Sequence, residues 1–387
     1  MLAEEALFPA ANRESGELFQ SLRPYRLSVA QIVLAKGSVS TRERRRFVES
    51  ICALCPQAPV EEKLDTPHNK IQIPGTSSDG AKHAAGKKTL VFGEHKSAVR
   101  FSREDGNTCP NYWHFSPTGF CFFNCTYCYL AGTPGVWHSP TIRIFVNLDE
   151  IIERIDAVAC GQGKPTGFYL GKLQDGLALD PLTGYSEKLV PFFARHPFAR
   201  QVILTKSDEV AHLLHFDHNK HTILSWSLNP QIVIDQFEAN TPSLNQRLEA
   251  MKRCVAVGYP IRAVVMPMIP VANWPDVYAG FMNRLLRVVP IRRLTIGGIC
   301  SYGKALWLME QKLGKENSIS RNLRRDRKAD DGRVRYPPSL RIAMYSHTIK
   351  IAREIRPDLE IALCLEEKPL WRELGLEAQL GKCNCVW

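Results

Sequence analysis

Cys121, Cys125 and Cys128 fall within GFCFFNCTYCYL, residues 119–130, at C-x3-C-x2-C spacing inside an aromatic run. Three soft donors this close can make a zinc knuckle, a set of buried thiols, or an iron–sulfur cluster. A structural zinc site wants four closed ligands, commonly two paired C-x2-C arms, and no matching second arm follows at finger spacing. A cubane cluster held by three thiolates instead leaves one iron without a protein ligand, open to a chelating small molecule. Other cysteines stand apart. Cys52 and Cys55 form a C-x2-C inside a helical pattern with no second pair, which reads as packing, as do Cys160 and Cys254. Cys300 and Cys364 end strand-like runs, and Cys383 and Cys385 make a C-x-C near the end of the sequence. Such a C-x-C pair is hard to explain as core, and with Cys300 or Cys364 it could hold a second metal.

Composition sets the frame for these residues. At 387 residues and 44% hydrophobic content, the chain can bury a large core, enough for one big domain plus a smaller one. Fifty Lys and Arg against 39 Asp and Glu give a net charge of +11, which favours a polyanionic partner such as nucleic acid. Twelve cysteines without a secretory apolar segment argue against a disulfide framework and for a reducing cytoplasm. No apolar run is long enough to predict a membrane span.

The elements that must position the cysteines are legible in outline. Ser40 with Glu43 has capping-box form and opens a predicted helix through RERRRFVESICALC. Residues 64–87, rich in Pro, Gly, Ser and His, read as a linker. From about residue 110, β-branched runs (IRIFV, GFYLG, QVILT, TILSWSL, YPIRAVVMPMIP, RRLTIGGIC, LEIALC) alternate with helical patterns. That alternation predicts an α/β fold with a parallel sheet, open or closed into a barrel, and ligand sites at the carboxyl ends of the strands. GICSYGKA, residues 298–305, fits G-x4-G-K, but Ala305 stands where magnesium binding needs a hydroxyl, so a phosphate loop is not expected.

The cysteine spacing with Tyr127 resembles the radical S-adenosylmethionine superfamily. KKTLVFGEHKSAVRFS, CTYCYL, TIRIFVNLDEI, LTKSD, WSLNP, FEANTPSLNQRLEAMKRCVAVGYPI and MPMIP, in that order across roughly residues 88–345, resemble the spore photoproduct lyase family. The resemblance implies a partial (β/α)6 TIM-like barrel over residues 88–365, preceded by a small N-terminal α/β region and linker (1–87) and followed by a tail (366–387). It implies a [4Fe-4S] cluster on Cys121, Cys125 and Cys128, with S-adenosylmethionine cleaved to a 5′-deoxyadenosyl radical that abstracts hydrogen from a DNA lesion. Tyr127 should line the adenine pocket with Tyr129 nearby, while Gln174, Lys206 and Ser227 fall at positions that contact S-adenosylmethionine.

One position departs from the pattern. In YLGKLQDGLALDPLT, residues 169–183, Lys172 stands where the family carries the cysteine that returns hydrogen to the product radical. A lysine N–H bond is too strong for that role, so Cys300 or Cys364, or the tail pair Cys383 and Cys385 folding back, is expected to replace it, or the substrate differs. In segment 317–338, Arg333, Arg335 and Tyr336 are expected to meet damaged duplex DNA, the arginines on phosphate and the tyrosine beside a flipped lesion. A monomer served by an electron donor such as flavodoxin or ferredoxin completes the expectation. Two rivals stay open: a radical enzyme on a non-DNA substrate, and a non-catalytic DNA-binding protein with a structural or redox cluster.

Overall fold

The computed structural model describes residues 27–104, 106–326 and 331–387. The chain forms β1 (Gln31–Ala35), β2 (Val60–Lys63), β3 (Thr89–Gly93), β4 (Val99–Ser102), β5 (Tyr112–Phe115), β6 (Thr118–Gly119), β7 (Asn124–Cys125) and β8 (Ile142–Phe145). It continues through β9 (Thr166–Leu170), β10 (Ala199–Thr205), β11 (Thr222–Ser227), β12 (Glu238–Ala239), β13 (Ile261–Val265), β14 (Arg293–Ile296), β15 (Cys300–Ser301), β16 (Val334–Arg335) and β17 (Glu360–Leu363).

The eight-stranded sheet runs β17-β14-β13-β11-β10-β9-β5-β4. From β5 to β17 every pairing is parallel and follows chain order, and only β4 lies antiparallel at the edge. This is a partial α/β barrel. Its strands are nearly continuous apolar runs, as sheets covered on both faces require, and β11 and β13 are buried along their whole length. The parallel wall holds one strand more than the six expected.

IRIFV behaves differently from the prediction. As β8 it joins the five-stranded sheet β2-β1-β3-β8-β6 and not the barrel. That sheet draws strands from both sides of residue 88. Residues 64–87 also hold more structure than a linker, because Ser78 caps a helix, Asp79–Gly86, through its hydroxyl and the Ala81 N–H. The first long helix, Arg42–Cys52, is capped by Thr41 and not Ser40, whose hydroxyl instead bonds the Gly37 carbonyl.

β17 and β5 do not pair, so the barrel has an open side. The loop before β5 crosses it, with the Thr108 N–H and hydroxyl donating to Glu366 O at 3.0 and 2.8 Å. The C-terminal tail packs against the strands from β9 to β14. Ser225 donates to Asn384 Oδ1 at 2.8 Å, Arg262 to Val386 O at 2.6 Å and Arg293 to Cys383 O at 2.6 Å. A Cβ on Gly167 would lie 3.1 Å from the Trp387 nitrogen, so a side chain there would crowd the tail. Among the described residues no helix is long and apolar enough to cross a membrane.

Candidate functional site

The loop carrying the three cysteines leaves β6, just after β5, and runs beside the carboxyl ends of the parallel strands, where such folds place ligands. Its entry is strained: Phe120 adopts φ 62°, and its N–H is tied to Leu173 O at 3.0 Å. Phe120, Phe122 and Phe123 are buried, which leaves Cys121, Cys125 and Cys128 half-buried. Lys87, at the end of the helix in the presumed linker, donates to Cys121 O at 2.8 Å and also to Phe123 O. Cys125 sits in β7, which pairs with β12, and Thr126 N donates to Phe237 O at 2.9 Å. Beyond Cys128, Gly132 meets the helix Gly303–Leu313 so closely that a Cβ would lie 2.7 Å from Ala305 N.

Burial raises the Cys121 thiol, with Asp175 adding to the effect, and raises Cys125 to about 12 against the pull of Lys206. A soft metal centre would therefore have to displace protons on binding, as thiolate sites do. Three thiols on one loop with no fourth cysteine fit an iron–sulfur cluster with an open iron better than a closed zinc site.

Behind the loop lies a buried polar network. Glu238 accepts from Arg247 at 2.6 Å, from Asn229 at 3.1 Å and from the Tyr127 hydroxyl. Burial opposes ionisation of Glu238, but Arg247 and Lys206 outweigh it and hold the carboxyl down at about 2. Lys206 Nζ donates to Ser227 Oγ at 3.0 Å and stands 5.8 Å from the Tyr127 ring centroid. Burial works against its charge, yet Glu238 and Cys125 raise its pKa, so it stays cationic. Asp175 accepts from Thr205 at 2.6 Å and from the Lys206 N–H at 2.7 Å, fixing the end of β10. Gln174 is buried, donates to Phe115 O at 3.2 Å, and its Oε1 has no partner. A cation, a hydroxyl and an unused amide oxygen beside an aromatic ring can receive an amino acid or nucleoside.

A second polar cluster forms around Lys172. Its ammonium donates to Glu104 at 2.8 Å and to the Ser102 hydroxyl, and lies 5.1 Å from the Tyr112 ring centroid. Arg333 donates to Glu104 at 3.2 Å and to the Tyr302 hydroxyl at 3.4 Å, and its guanidinium reaches the Cys300 sulfur at 4.0 Å. Tyr129 donates to Lys172 O at 2.7 Å, and its ring centroid lies 6.5 Å from that of Tyr302. Lys172, Arg333, Cys300 and Tyr129 therefore share one site.

The family model described as "Spore photoproduct lyase" matches residues 47–295. The chain belongs to the spore photoproduct lyase family. It is 32% identical over 235 residues to the spore photoproduct lyase of Geobacillus sp. (strain Y412MC61) and 30% over 233 to that of Bacillus subtilis (strain 168). Each match covers 60% of this chain and 66% of the relative, just under two thirds of its length. Among solved structures, "Spore photoproduct lyase complexed with dinucleoside spore photoproduct" superposes with a TM-score of 0.76 at 22% identity, covering 88% of this chain and 100% of that one. A mutant spore photoproduct lyase "with bound AdoMet and dinucleoside spore photoproduct" gives 0.75, covering 87% and 98%.

Within this family frame, Cys121, Cys125 and Cys128 share one loop and Tyr127 stands beside the Lys206–Ser227 pair, but among the described residues the three sulfurs do not all lie within 4.8 Å of one another. Three placements differ from expectation. Tyr336 is fully buried beneath Gly298, not standing out as a wedge, because apolar neighbours such as Ile299 and Val334 enclose it. Arg335 is buried too, bound to Asp331 and to Leu365 O, so its donors are already used. Cys364 does not accompany Cys300; it faces Cys109 and Cys383. GICSYGKA is spent on pairing β15 with β16, Cys300 opposite Arg335, so its backbone forms a ladder and not an anion cradle. Sequence reasoning missed Lys87, Glu104 and Arg247. Glu104 and Lys87 carry no local signal, since only folding brings each to its partner 68 and 34 residues away.

Proposed function

We propose that this chain is a radical S-adenosylmethionine enzyme that reverses a thymine photolesion in DNA, and that Cys300 takes over the hydrogen-donating role that residue 172 cannot play. The observation that carries the reading is the juxtaposition of the three-cysteine loop with the Lys206–Ser227 pair and Tyr127 at the carboxyl ends of parallel strands. Bound there, a [4Fe-4S] cluster with one open iron would supply an electron and S-adenosylmethionine the sulfonium needed for radical hydrogen abstraction.

The chain's own residues do the rest. Cys121, Cys125 and Cys128 hold the cluster, and Lys206, Ser227, Gln174 and Tyr127 orient the cofactor. Lys172 and Arg333, both on Glu104 and Arg333 also 3.7 Å from Asp331, set the electrostatics of the substrate side, where an anionic lesion backbone would compete with these carboxylates for the two cations. A hydrogen-atom donor must keep its hydrogen. Burial raises the Cys300 thiol to about 11, against the lowering effect of Arg335 and Arg333, so at neutral pH it remains S–H. The strong N–H bond of Lys172 leaves it a positioning role.

The test is anaerobic incubation of the reduced protein with S-adenosylmethionine and an oligonucleotide carrying the thymine photoproduct in D2O, following 5′-deoxyadenosine and lesion loss by mass. Wild type should restore thymine bearing solvent deuterium. Cys300→Ala should still form 5′-deoxyadenosine but release little restored thymine. Unchanged repair and labelling in Cys300→Ala would refute the donor assignment, and wild type that makes 5′-deoxyadenosine without lesion loss would refute the substrate.

A further inference from the structure

Four thiols that the three-cysteine loop does not use converge at the open side of the barrel. Cys109 lies in the loop leading into β5, Cys364 directly after β17, and Cys383 and Cys385 on the tail. These three segments are remote in sequence. The Cys383 sulfur stands 3.9 Å from that of Cys385, and Cys109 and Cys364 are its close electrostatic neighbours and each other's, although no three of the four sulfurs all lie within 4.8 Å of one another. Cys383 is almost wholly buried, and all four are unbridged. Scattered buried thiols are ordinary small hydrophobes, but four of them brought into one neighbourhood from three segments are not ordinary packing.

The surroundings match a negatively charged centre. Arg262 and Arg293 are buried against the tail, and Arg293 donates to Cys383 O at 2.6 Å. Arg293 also pairs with Glu360, whereas among the described residues the hydrogen bonds of Arg262 go to tail carbonyls, Asn384 O at 3.4 Å and Val386 O at 2.6 Å, with no carboxylate in contact. Glu360 acts on Arg262 only from a distance, being bound to Arg293 and Lys382, and a buried guanidinium without a carboxylate in contact is costly. Four thiolates on a divalent cation carry two net negative charges, which would supply a counter-charge.

We propose that Cys109, Cys364, Cys383 and Cys385 form a second metal centre, a four-thiolate site for a thiophilic divalent cation such as zinc, which staples the open edge of the barrel. Tetrahedral Zn–S bonds of about 2.3 Å place sulfurs about 3.8 Å apart. Cys383 and Cys385 already stand at that spacing. The other two must draw inward, because among the described residues only Asp156, Cys160 and His196 bring three ligand atoms all within 4.8 Å of one another. That compact trio is a hydrogen-bonded group and not a ligand set. His196 Nδ1 accepts from the Phe198 and Ala199 N–H groups at 3.0 and 2.7 Å, so Nε2 carries the proton and donates it to Asp156. The four-thiol site leaves no position for substrate, so its role is structural, closing β17, the loop before β5 and the tail onto one another.

The test removes the first cluster and counts what stays. Full-length Cys121→Ala/Cys125→Ala/Cys128→Ala protein, purified anaerobically, should retain about one zinc or iron per chain by mass spectrometry, as a closed four-thiolate site predicts. Adding Cys383→Ser/Cys385→Ser should abolish it. Cobalt(II) reconstitution of the triple variant should give thiolate-to-cobalt charge-transfer absorption, and a strong chelator should lower its melting temperature. A folded triple variant with no bound metal and four reactive thiols, a disulfide within the set, or metal that survives the serine substitutions would each overturn the proposal. None of these readouts depends on lesion repair.

Discussion

Replacing Glu238 by Gln tests how the cysteine loop is held. Glu238 and Arg247 are both fully buried at 2.6 Å, and the same carboxylate accepts from Tyr127, next to two of the cysteines. Gln keeps the shape but removes the charge, leaving Arg247 buried with only neutral acceptors, Pro242 O, Ser227 O and Thr241 Oγ1. Breaking a buried pair from one side costs about 3–5 kcal/mol. The carboxyl's pKa gives a similar scale: a fall from 4.5 to about 2 corresponds to about 3 kcal/mol at about 1.4 kcal/mol per unit. Because the folded value is depressed, this stabilisation is present above pH 4.5 and is lost as pH falls through about 2. Guanidinium denaturation at pH 7, followed by circular dichroism, should show Glu238→Gln destabilised by about 3 kcal/mol, a large share of a typical total of about 5–15 kcal/mol. Glu238→Leu/Arg247→Leu should recover part of that loss, since the guanidinium is no longer stranded while buried Lys206 still loses its counter-charge. A loss below about 1 kcal/mol in the single variant would refute the idea that this ion pair is structurally committed.

Further outcomes follow from the same reasoning. Burial, helped by neighbouring cations, depresses His68 and His83 to about 3 and His95 and His114 to about 4. Since these values lie below the unfolded 6.5, their stabilisation is complete above pH 6.5 and drains as pH falls toward 4 and 3, so urea midpoints should drop across that window and drop less in His83→Gln. Lys87→Met should strand the carbonyls of Cys121 and Phe123 at a local cost of about 1–3 kcal/mol. Its expected signature is less iron retained after anaerobic reconstitution with little change in circular dichroism; full iron loading would show that the lysine does not brace the loop.

The sequence by itself determined what is written in local spacing and period. Three cysteines within eight residues, a tyrosine between the last two, and alternating apolar runs with helical patterns are all local, and local order was enough to mark the loop as a soft-donor site and to give a parallel α/β sheet. It could not decide which sheet a strand joins. IRIFV reads like its barrel neighbours, yet as β8 it pairs with β3, because a strand's place depends on packing against cross-strand and same-face neighbours that its own sequence does not specify. Nor could it place Tyr336, whose composition suggested surface and whose apolar neighbours made it core. The tertiary structure alone brought Glu104 between Lys172 and Arg333, Lys87 under the cysteine loop, and Cys109 to Cys364 and the tail. Those meetings join residues 34 to 255 positions apart or more, as with Lys87 to Cys121 and Cys109 to Cys364, and no local pattern encodes them. Buried charges and thiols need partners, and only the folded chain shows which partner each one finds.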